Sequence, residues 1–416
     1  MLPETHTLGA LIVSTDKTQL TQFSGSKQAY PIYLTLGNIP NRLRRKPSEQ
    51  ACILLGYLPV EKVTRGTLSK VEVSARYRRL FHAAMTVLFE PLKEAGIKGV
   101  EMTSGDGVVR IVHPVLAAYV ADYPEQCLVT CSKYGTCPKC MAGATNLDDD
   151  TKFPRRTHKT TMDAMASSSE STSSCTAYLK ACNAKNVNGT VLKPFWDGLP
   201  YTNIHLSQTP DVLHQLYQGV LKHLLEWCQT LMTEQELDRR IRCLPLAIGV
   251  RHFKNGISAL SQISGSERKN MGKILLGCIV DELDSRAVTA CRVILDFKHV
   301  AQYPTHDNIT LGYMDTALDT WRQNKSYFID VGIRTDFNIP KFHSLTHYVE
   351  MIRLFGTTNN YNTEMFEHLH IDFSKKGWRA SNQRDEFPQM TEWVTRKENV
   401  HGFESYLEWV KQQISM

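Results

Sequence analysis

The first sixty residues alternate between short apolar runs and polar spacers. The runs LGALIVSTD (8–16), YPIYLTLGN (30–38) and ACILLGYLPV (51–60) are rich in β-branched and aromatic residues and are bounded by turn-forming residues. Runs of this length and composition are typical of strands. The pattern therefore predicts three successive strands, which we expect to pair antiparallel and to hold Asp16 near the middle strand of a mixed sheet.

A helical pattern follows the third run, with apolar residues every three or four positions. Ser74 can cap this helix and Gly96 can end it, while Pro91 should kink it or end it early. Residues 100–129 are then predicted to be extended, and their second run, VHPVLAAYVAD, finishes at Asp122. Its alanines leave a helix as the alternative. The order of three strands, a helix and a strand excludes the all-α and all-β classes.

The composition changes after residue 140. Residues 141–190 include DDDTKFPRR, SSSESTSSC and NAKNVNGT, and they contain few apolar side chains. Such a segment buries too little apolar surface to offset the entropy that it loses on ordering. We therefore predict a long flexible loop here.

Helical periodicity dominates the second half of the chain. NIHLS (203–207) is predicted to be a short strand, after which Asp211 can cap a helix with a wide apolar stripe. From residue 231 to 355 the apolar positions recur almost entirely at helical spacing, which predicts an all-α block. A later helix carries Glu364 and Glu367, and the chain closes with the amphipathic run FESYLEWVKQQI.

The composition is that of an ordinary globular protein. The chain has 416 residues, 42% hydrophobic and 22% charged, which is enough for two or three domains and a large core. No apolar run approaches the ~18 residues that would span a bilayer, and no signal-peptide pattern opens the chain. We therefore expect its eleven cysteines to lie in a reducing compartment, as core residues or zinc ligands. The net charge of +6 is compatible with a polyanionic partner without requiring one.

Carboxylates stand at the ends of two predicted strands. Asp16 and Asp122 close these strands, and glutamates follow on a much later helix. Paired Mg²⁺ ions that catalyse phosphoryl chemistry need acidic oxygen ligands converging from rigid elements. Aspartate also ends many strands simply because it favours turns. The pattern by itself is therefore compatible with a metal site but does not establish one.

Five stretches, in a fixed order, carry a resemblance to a known family. They are STDKTQLTQFSGSKQAYPIYLTLGNIP, YVADYPEQCLVTCSKYGTCPKC, TPDVLHQLYQGVLKHLLEWC, FNIPKFHSLTHYVEMIRLFGTTNNYNTE and EHLHIDFSKKGWRASN. These stretches resemble the Plavaka transposases of fungi, which are similar to the CACTA (En/Spm-like) DNA transposases. The matching blocks run from about Thr15 to the C-terminus, so the resemblance covers nearly the whole chain.

The resemblance implies an α+β fold, with a ribonuclease-H-like mixed-sheet core and a large all-α insertion. It also implies a DDE-type triad that uses Mg²⁺ or Mn²⁺. The first carboxylate is then Asp16. The second is Asp122, with Asp106 as its rival, and the third is Glu364, with Glu367 one turn further along the same helix face.

These expectations divide the chain into five segments. They are the first part of the core (1–135), a zinc knuckle with the flexible loop (136–193), a returning strand and helix (194–230), the helical insertion (231–356) and C-terminal helices with the third acidic residue (357–416).

A zinc site is expected at Cys137 and Cys140. Two thiolates in a C-x-x-C pattern can bind one Zn²⁺, which needs four ligands. Cys127 and Cys131 could complete an all-thiolate site. The alternatives are a redox C-x-x-C, which lacks its usual strand-to-helix setting here, or a pair of thiols without a role.

The resemblance to CACTA-like enzymes, in which histidine is supplied later in the chain, instead favours His205 and His214 as partners of Cys137 and Cys140. Apart from the zinc role of His214, we assign no chemical role to the histidines on predicted helices. They are His214, His223, His343, His347, His368 and His370.

Two basic groups could neutralise DNA phosphates, which supplies affinity without sequence specificity. Solvated surface charge is the alternative for each group. The first group lies in NRLRRK (41–46), which is predicted to be a loop. The candidates are Arg42, Arg44, Arg45, Lys46, Arg76, Arg78 and Arg79.

The resemblance implies DNA as the partner, both transposon ends and target, together with a homo-oligomer and a nuclear or nucleocytoplasmic location. It implies no membrane and no small-molecule substrate. Similar proteins are usually longer and carry an N-terminal DNA-recognition zinc finger. No C2H2 finger spacing is apparent here, so the chain looks like an N-terminally truncated copy. Two hypotheses follow: an active metal-dependent transposase core, or an inactive remnant that at most binds DNA or protein.

Overall fold

The computed structural model of this protein describes residue 3 and residues 6–21, 25–61, 63, 66–104, 106–170 and 174–414. The chain forms two compact units. Unit 1 consists of Met1–Ala117, Lys193–Thr202 and Glu364–Met416, and unit 2 consists of Ala118–Leu192 and Asn203–Thr363.

The described residues contain strands β1 (His6–Thr15), β2 (Thr18–Gln19), β3 (Gln28–Ala29), β4 (Pro31–Leu36), β5 (Cys52–Tyr57), β6 (Val100–Thr103) and β7 (Val109–Val120). Five of them form one sheet in the order β5-β4-β1-β7-β6. Strands β2 and β3 pair separately.

The three predicted N-terminal strands are confirmed as β1, β4 and β5. β4 pairs antiparallel with β1, placing Tyr33 opposite Ser14, and β5 pairs antiparallel with β4. The apolar side chains of Val13 and Ile32 are buried, which explains why these runs form strands. β1 is the middle strand of the five, and Asp16 follows its last residue, as predicted.

Helices make up most of the remaining structure. The described part of the chain contains α1 (Asn41–Arg44), α2 (Lys70–Lys98), α3 (Tyr123–Val129), α4 (His158–Glu170), α5 (Cys175–Ala184), α6 (Ile204–Ser207), α7 (Leu221–Met232), α8 (Glu234–Cys243), α9 (Gly265–Ile279), α10 (Ser285–Val300), α11 (Asn308–Asn324), α12 (Tyr327–Asp330), α13 (Pro340–Ser344), α14 (Tyr348–Phe355), α15 (Thr363–Leu369), α16 (Lys376–Ala380) and α17 (Glu386–Ile414).

Shorter and irregular helical turns join several of these helices. Three are 3₁₀ turns, at Pro47–Glu49, Leu345–His347 and Thr358–Asn360. Two are π-helical, at Val212–Val220 and His370–Lys375. No helix among the described residues is both long and apolar enough to cross a membrane.

The helix α2 begins earlier than predicted. Its cap is Ser69 rather than Ser74, because the Ser69 hydroxyl accepts a hydrogen bond from the Glu72 amide and the Glu72 carboxylate accepts one from the Ser69 amide. This reciprocal capping box satisfies two amides that would otherwise have no partner. The helix also continues through Pro91 and ends at Lys98, not at Gly96.

The prediction of a long flexible loop over residues 141–190 is wrong where α4 and α5 form. Small and polar side chains are buried there, including Thr161 and Ser168, and their hydroxyls are hydrogen-bonded. Counting apolar residues missed this packing, since a small hydroxyl side chain can be buried when its hydrogen bond is made. Residues 171–173, in SSSESTSSC, lie outside the described part.

Two other local predictions are also wrong. NIHLS forms the helical turn α6 instead of a strand, because the Asn203 side chain accepts hydrogen bonds from the amides of His205 and Leu206. Such side-chain capping favours a helix start over a strand. NRLRRK begins with α1 rather than forming a loop, and it follows Pro40, which already has a backbone angle suited to a helix start.

The predicted all-α block is confirmed: residues 231–355, all of them described, contain helices and no strand. Aromatic rings of this block stack on one another and on Trp227, which precedes the block on α7. The ring centroids of Trp227 and Phe342 lie 5.5 Å apart, and those of Trp321 and Phe342 lie 5.0 Å apart. The block lies inside unit 2, which also includes residues 118–192 and 203–230.

Candidate metal centre and carboxylate sites

Two cysteines and two histidines form one compact group in unit 2. The ligand atoms of Cys137, Cys140, His343 and His347 all lie within 4.8 Å of one another. Cys137 Sγ lies 3.3 Å from His347 Nε2, and Cys140 Sγ lies 3.2 Å from His343 Nε2. In a tetrahedral zinc site, bond lengths of about 2.3 Å to sulfur and 2.0 Å to nitrogen put such pairs about 3.5 Å apart. The donor set and its spacing therefore fit a four-coordinate metal.

The residues around this group orient its members. Backbone amides of Lys139 and Cys140 point at Cys137 Sγ, at 3.3 and 3.4 Å. His343 Nδ1 lies 2.8 Å from the Leu147 carbonyl oxygen, so its Nε2 faces the cysteines. Hydrogen bonds of this kind fix the ring orientation of metal-binding histidines. The backbone amides of the loop and the Leu147 carbonyl oxygen thus hold Cys137 and His343 in position.

The two thiols differ in acidity. Burial raises the pKa of the Cys137 thiol, but hydrogen bonding with Cys140 and the charge of His347 outweigh burial and hold that pKa well below its ordinary value. Hydrogen bonding to Cys137, reinforced by burial, raises the pKa of Cys140. The first thiolate therefore forms on Cys137, and thiolate is the form that binds a metal.

His205 and His214, the expected partners of the two cysteines, lie outside the group of four. His205 Nδ1 lies 2.7 Å from the Pro138 carbonyl oxygen and its Nε2 lies 2.8 Å from Thr161 Oγ1, so both ring nitrogens are engaged. Burial lowers the pKa of His205 to about 3, which keeps the ring neutral. His205 therefore supports the knuckle, residues 137–140, from outside.

His214 is paired with a buried carboxylate instead. Its Nδ1 lies 2.7 Å from Asp211 Oδ2, and its amide donates to Asp211 Oδ1, so Asp211 is a helix cap as predicted. The alternative ligands Cys127 and Cys131 also lie outside the group of four, and both side chains are buried. Burial raises the pKa of Cys127 to about 12.

The sequence alone did not predict His343 and His347 as members of this group, although their spacing is a signal for a metal site. The spacing C-x2-C of Cys137 and Cys140 and the spacing H-x3-H of the two histidines are the two halves of a C2H2 pattern. The expectation that the chain has no C2H2 spacing is therefore correct only for a finger whose two halves are close in the sequence. The two halves lie more than 200 positions apart, and this separation hid their relationship.

Asp16 lies at the end of β1 beside a buried histidine. Its Oδ2 is 3.3 Å from His370 Nε2, and its side chain is 42% exposed whereas that of His370 is 6% exposed. His370, to which the sequence analysis assigned no role, therefore contacts the expected first carboxylate. An exposed carboxylate offers only oxygen ligands, which suits a hard cation such as Mg²⁺.

The two candidates for the second carboxylate have different local surroundings. Asp106 lies in the turn before β7 and forms two hydrogen bonds to Arg110, at 2.9 and 2.8 Å, which hold the pKa of its carboxyl well below the ordinary value. Asp122 follows β7 and caps α3, accepting a hydrogen bond from the Glu125 amide at 2.9 Å. Each aspartate thus has a local structural role.

The candidates for the third carboxylate lie on α15. Glu364 and Glu367 are half-buried and three residues apart, so they share a helix face. The residue before them, Thr363, donates its hydroxyl to Asp211 Oδ1 at 2.8 Å within unit 2. This hydrogen bond fixes the backbone at the point where α15 begins.

One of the expected DNA-contacting residues is buried. Arg44 is 5% exposed and its Nε donates to the Ile39 carbonyl oxygen, so its guanidinium supports the turn and is not presented to a phosphate. The others are exposed or, for Arg78, half-buried; they are Arg42, Arg45, Lys46, Arg76, Arg78 and Arg79.

Comparison with known proteins identifies the family. The family model of the Plavaka transposase matches residues 1–228, more than half of the 416 residues. The matched region contains Asp16, Asp122 and both cysteines of the metal centre. No curated protein matches the sequence. Because the match covers more than half of the chain, this protein belongs to the Plavaka transposase family.

Proposed function

We propose that this chain is the catalytic core of a DNA transposase that cuts and joins DNA strands with divalent metal ions. The family match over residues 1–228 is the observation that carries the proposal, since a transposase acts on DNA. The position of Asp16 at the end of the central strand supports it further, because a side chain at a strand end is held by a rigid element.

The proposed fold of the core is ribonuclease-H-like, and its proposed catalytic carboxylates are Asp16, Asp122 and Glu364. Bound Mg²⁺ or Mn²⁺ supplies activation of the attacking oxygen and stabilisation of the leaving oxygen. The carboxylates would bind and orient these ions. Asp106 is the weaker candidate for the second carboxylate, because both of its oxygens already accept hydrogen bonds from Arg110. Glu367 is the alternative to Glu364.

We further propose that the group of two cysteines and two histidines binds a structural Zn²⁺. Thiolate and imidazole are the ligands that zinc takes, and four protein ligands leave no position for a water nucleophile. This ion would join the knuckle to the segment from α13 to the following 3₁₀ turn, both of which belong to unit 2.

The proposed partners are transposon ends and target DNA, and the proposed location is the nucleus, where that DNA is found. A homo-oligomer is proposed as well, because the two ends of an element must be held together when they are joined to one target. Size-exclusion chromatography with light scattering, with and without DNA, measures the oligomeric state.

A nicking assay tests the catalytic proposal. The purified full chain is incubated with supercoiled plasmid and with Mg²⁺, Mn²⁺ or EDTA. We expect nicking that needs the metal and that is lost in Asp16→Asn, Asp122→Asn and Glu364→Gln, because each amide keeps the side-chain size and loses the charge. Asp315→Asn, at an exposed position on α11, is the matched control.

Two outcomes would contradict the proposal. Equal nicking by the wild type and all three variants would indicate a contaminating nuclease. A wild-type protein that binds DNA but never nicks it would be a DNA-binding remnant, which was the alternative expected from the sequence.

A further inference from the structure

We propose that His370 is a positioning residue for Asp16, and that Tyr33 holds His370 in the orientation and tautomer this task requires. The inference rests on the proposed role of Asp16 as a catalytic metal ligand. It adds to that role two side-chain contacts, from Tyr33 to His370 and from His370 to Asp16, and all three residues lie in unit 1.

Both ring nitrogens of His370 are engaged, each by a different partner. Nδ1 lies 3.0 Å from the Tyr33 hydroxyl and Nε2 lies 3.3 Å from Asp16 Oδ2. Tyr33 is fully buried, whereas the Asp16 side chain is partly exposed. The imidazole therefore connects a fixed group in the interior to a carboxylate at the surface.

A phenol that donates to Nδ1 sets which nitrogen of a neutral imidazole carries the proton. Burial raises the pKa of Tyr33 well above its ordinary value, so the hydroxyl keeps its proton and can donate it. When the Tyr33 hydroxyl donates to Nδ1, the single proton of a neutral imidazole lies on Nε2. The Nε2–H group then donates to Asp16 Oδ2.

The surrounding structure limits the movement of these three side chains. Tyr33 lies opposite Ser14 in the antiparallel pairing of β4 with β1, and Asp16 follows the last residue of β1. The Tyr33 ring also contacts Phe366 and Phe373, with centroids 6.3 and 5.8 Å away.

The backbone at His370 is unusual as well. His370 begins the π-helical turn His370–Lys375 that follows α15. Single π-helical turns inside α-helices are rare, and they are found frequently at functional sites. The ring of His370, the first residue of this turn, lies between the phenol and the carboxylate, and the chain continues into α16.

A purely structural role accounts poorly for this arrangement. A pair with one partly exposed partner contributes little to folding stability, yet the buried imidazole of His370 and the buried phenol of Tyr33 both take part in this arrangement. Orientation explains the arrangement better. When a donor fixes one oxygen of a carboxylate, the other oxygen is presented to a cation in one geometry. Loss of a group that holds a metal ligand in this way typically costs about 10- to 100-fold in metal affinity or activity.

The test measures Mn²⁺ binding directly and nicking separately. Free Mn²⁺ is followed by electron paramagnetic resonance during titration of the full chain, and the Mn²⁺ concentration for half-maximal nicking is measured in parallel. We expect His370→Phe to raise the Kd for Mn²⁺ about 10- to 100-fold. We expect Tyr33→Phe to raise it less, because the ring stays in place without the hydroxyl.

Conservative and matched variants separate positioning from stability. His370→Gln keeps a side-chain N–H that can reach Asp16, so we expect its Kd to lie between those of the wild type and His370→Phe. Tyr57→Phe removes a hydroxyl that donates to the Phe373 carbonyl oxygen at 2.8 Å in the same part of unit 1, and we expect it to leave the Kd unchanged.

The outcomes distinguish this inference from the proposed function. If Asp16→Asn loses a Mn²⁺ ion but His370→Phe and Tyr33→Phe bind Mn²⁺ like the wild type, the positioning role is wrong and the role of Asp16 stands. If Asp16→Asn binds Mn²⁺ like the wild type, Asp16 is not a ligand and both proposals fail. Should His370→Phe not fold, the values for Tyr33→Phe and His370→Gln decide between these outcomes.

Discussion

Cys140 Sγ lies 3.2 Å from His343 Nε2, although the two residues are 203 positions apart in the chain. Cys137 and His347 form a second such pair, and the four ligand atoms form one group within unit 2. A metal bound there would close a loop of about two hundred residues, and loop closure constrains the unfolded chain more as the loop grows. The metal centre is therefore expected to contribute strongly to the stability of unit 2.

The first prediction concerns this contribution. His343→Ala, or Cys137→Ser combined with Cys140→Ser, should lose about one equivalent of zinc per chain by elemental analysis. We expect the Tm of unit 2 to fall by about 10 °C or more, because a structural zinc site contributes folding free energy directly. For a unit of about 150–250 residues, such as unit 2, 1 kcal/mol shifts Tm by about 2–4 °C.

Cys175→Ser is the matched control for the zinc variants, since Cys175 is an exposed free thiol. It should keep both the zinc content and the Tm of the wild type. Purified wild-type protein without zinc, or a double serine variant with unchanged Tm, would refute the site.

The second prediction concerns a buried lysine of the helical core. The Lys298 side chain is 2% exposed, its Nζ has no hydrogen-bond partner in the described structure, and its only described cation–π contact is with the Tyr217 ring, at 5.2 Å. Burial lowers its pKa to about 8. The folded state therefore disfavours the charged ammonium, so Lys298→Met should stabilise the protein at pH 7 by about 1–3 kcal/mol.

The lowered pKa of Lys298 makes the stability difference between the wild type and Lys298→Met depend on pH. Between pH 8 and about 10.5 the folded state has released the Lys298 proton while the unfolded state still binds it, so the stability of the wild type rises relative to that of Lys298→Met. Urea unfolding at pH 7 and pH 10 measures the difference between the two proteins. A difference that does not shrink at pH 10 would show that the lysine is not destabilising through its charge.

The third prediction concerns where α2 begins. Ser69→Ala removes the hydroxyl that accepts a hydrogen bond from the Glu72 amide, so we expect the free energy of unfolding to fall by about 1 kcal/mol. Ser74→Ala, within the helix, should have a much smaller effect and is the control. The same loss in both variants would contradict the assignment of Ser69 as the cap.

The fourth prediction separates the two candidates for the second carboxylate. Asp106→Asn should retain metal-dependent nicking, because Arg110 holds Asp106 as part of the turn before β7. Asp122→Asn should lose nicking if Asp122 is the catalytic residue. The same plasmid assay serves for both, and the opposite pattern would transfer the catalytic role to Asp106.

Local signals in the sequence determined the secondary structure well where side chains are apolar and periodic. The strand runs around Val13 and Ile32 and the helical block from residue 231 to 355 follow directly from their spacing. The end of β1 at Asp16 and the cap at Asp211 follow from turn and capping preferences that act within a few residues. These features depend on neighbours in the chain, so the sequence alone was sufficient to predict them.

The tertiary structure decided which distant residues meet. The C-x-x-C spacing identified Cys137 and Cys140 as candidate ligands, but the H-x3-H spacing of His343 and His347 does not show which thiols they contact. The contact between Asp16 and His370, 354 positions apart, was equally hidden. The helices within residues 141–190 form because buried hydroxyls such as that of Thr161 find partners in other segments. Composition records the side chains but not those partners, and the partners determine whether burying a polar group is favourable.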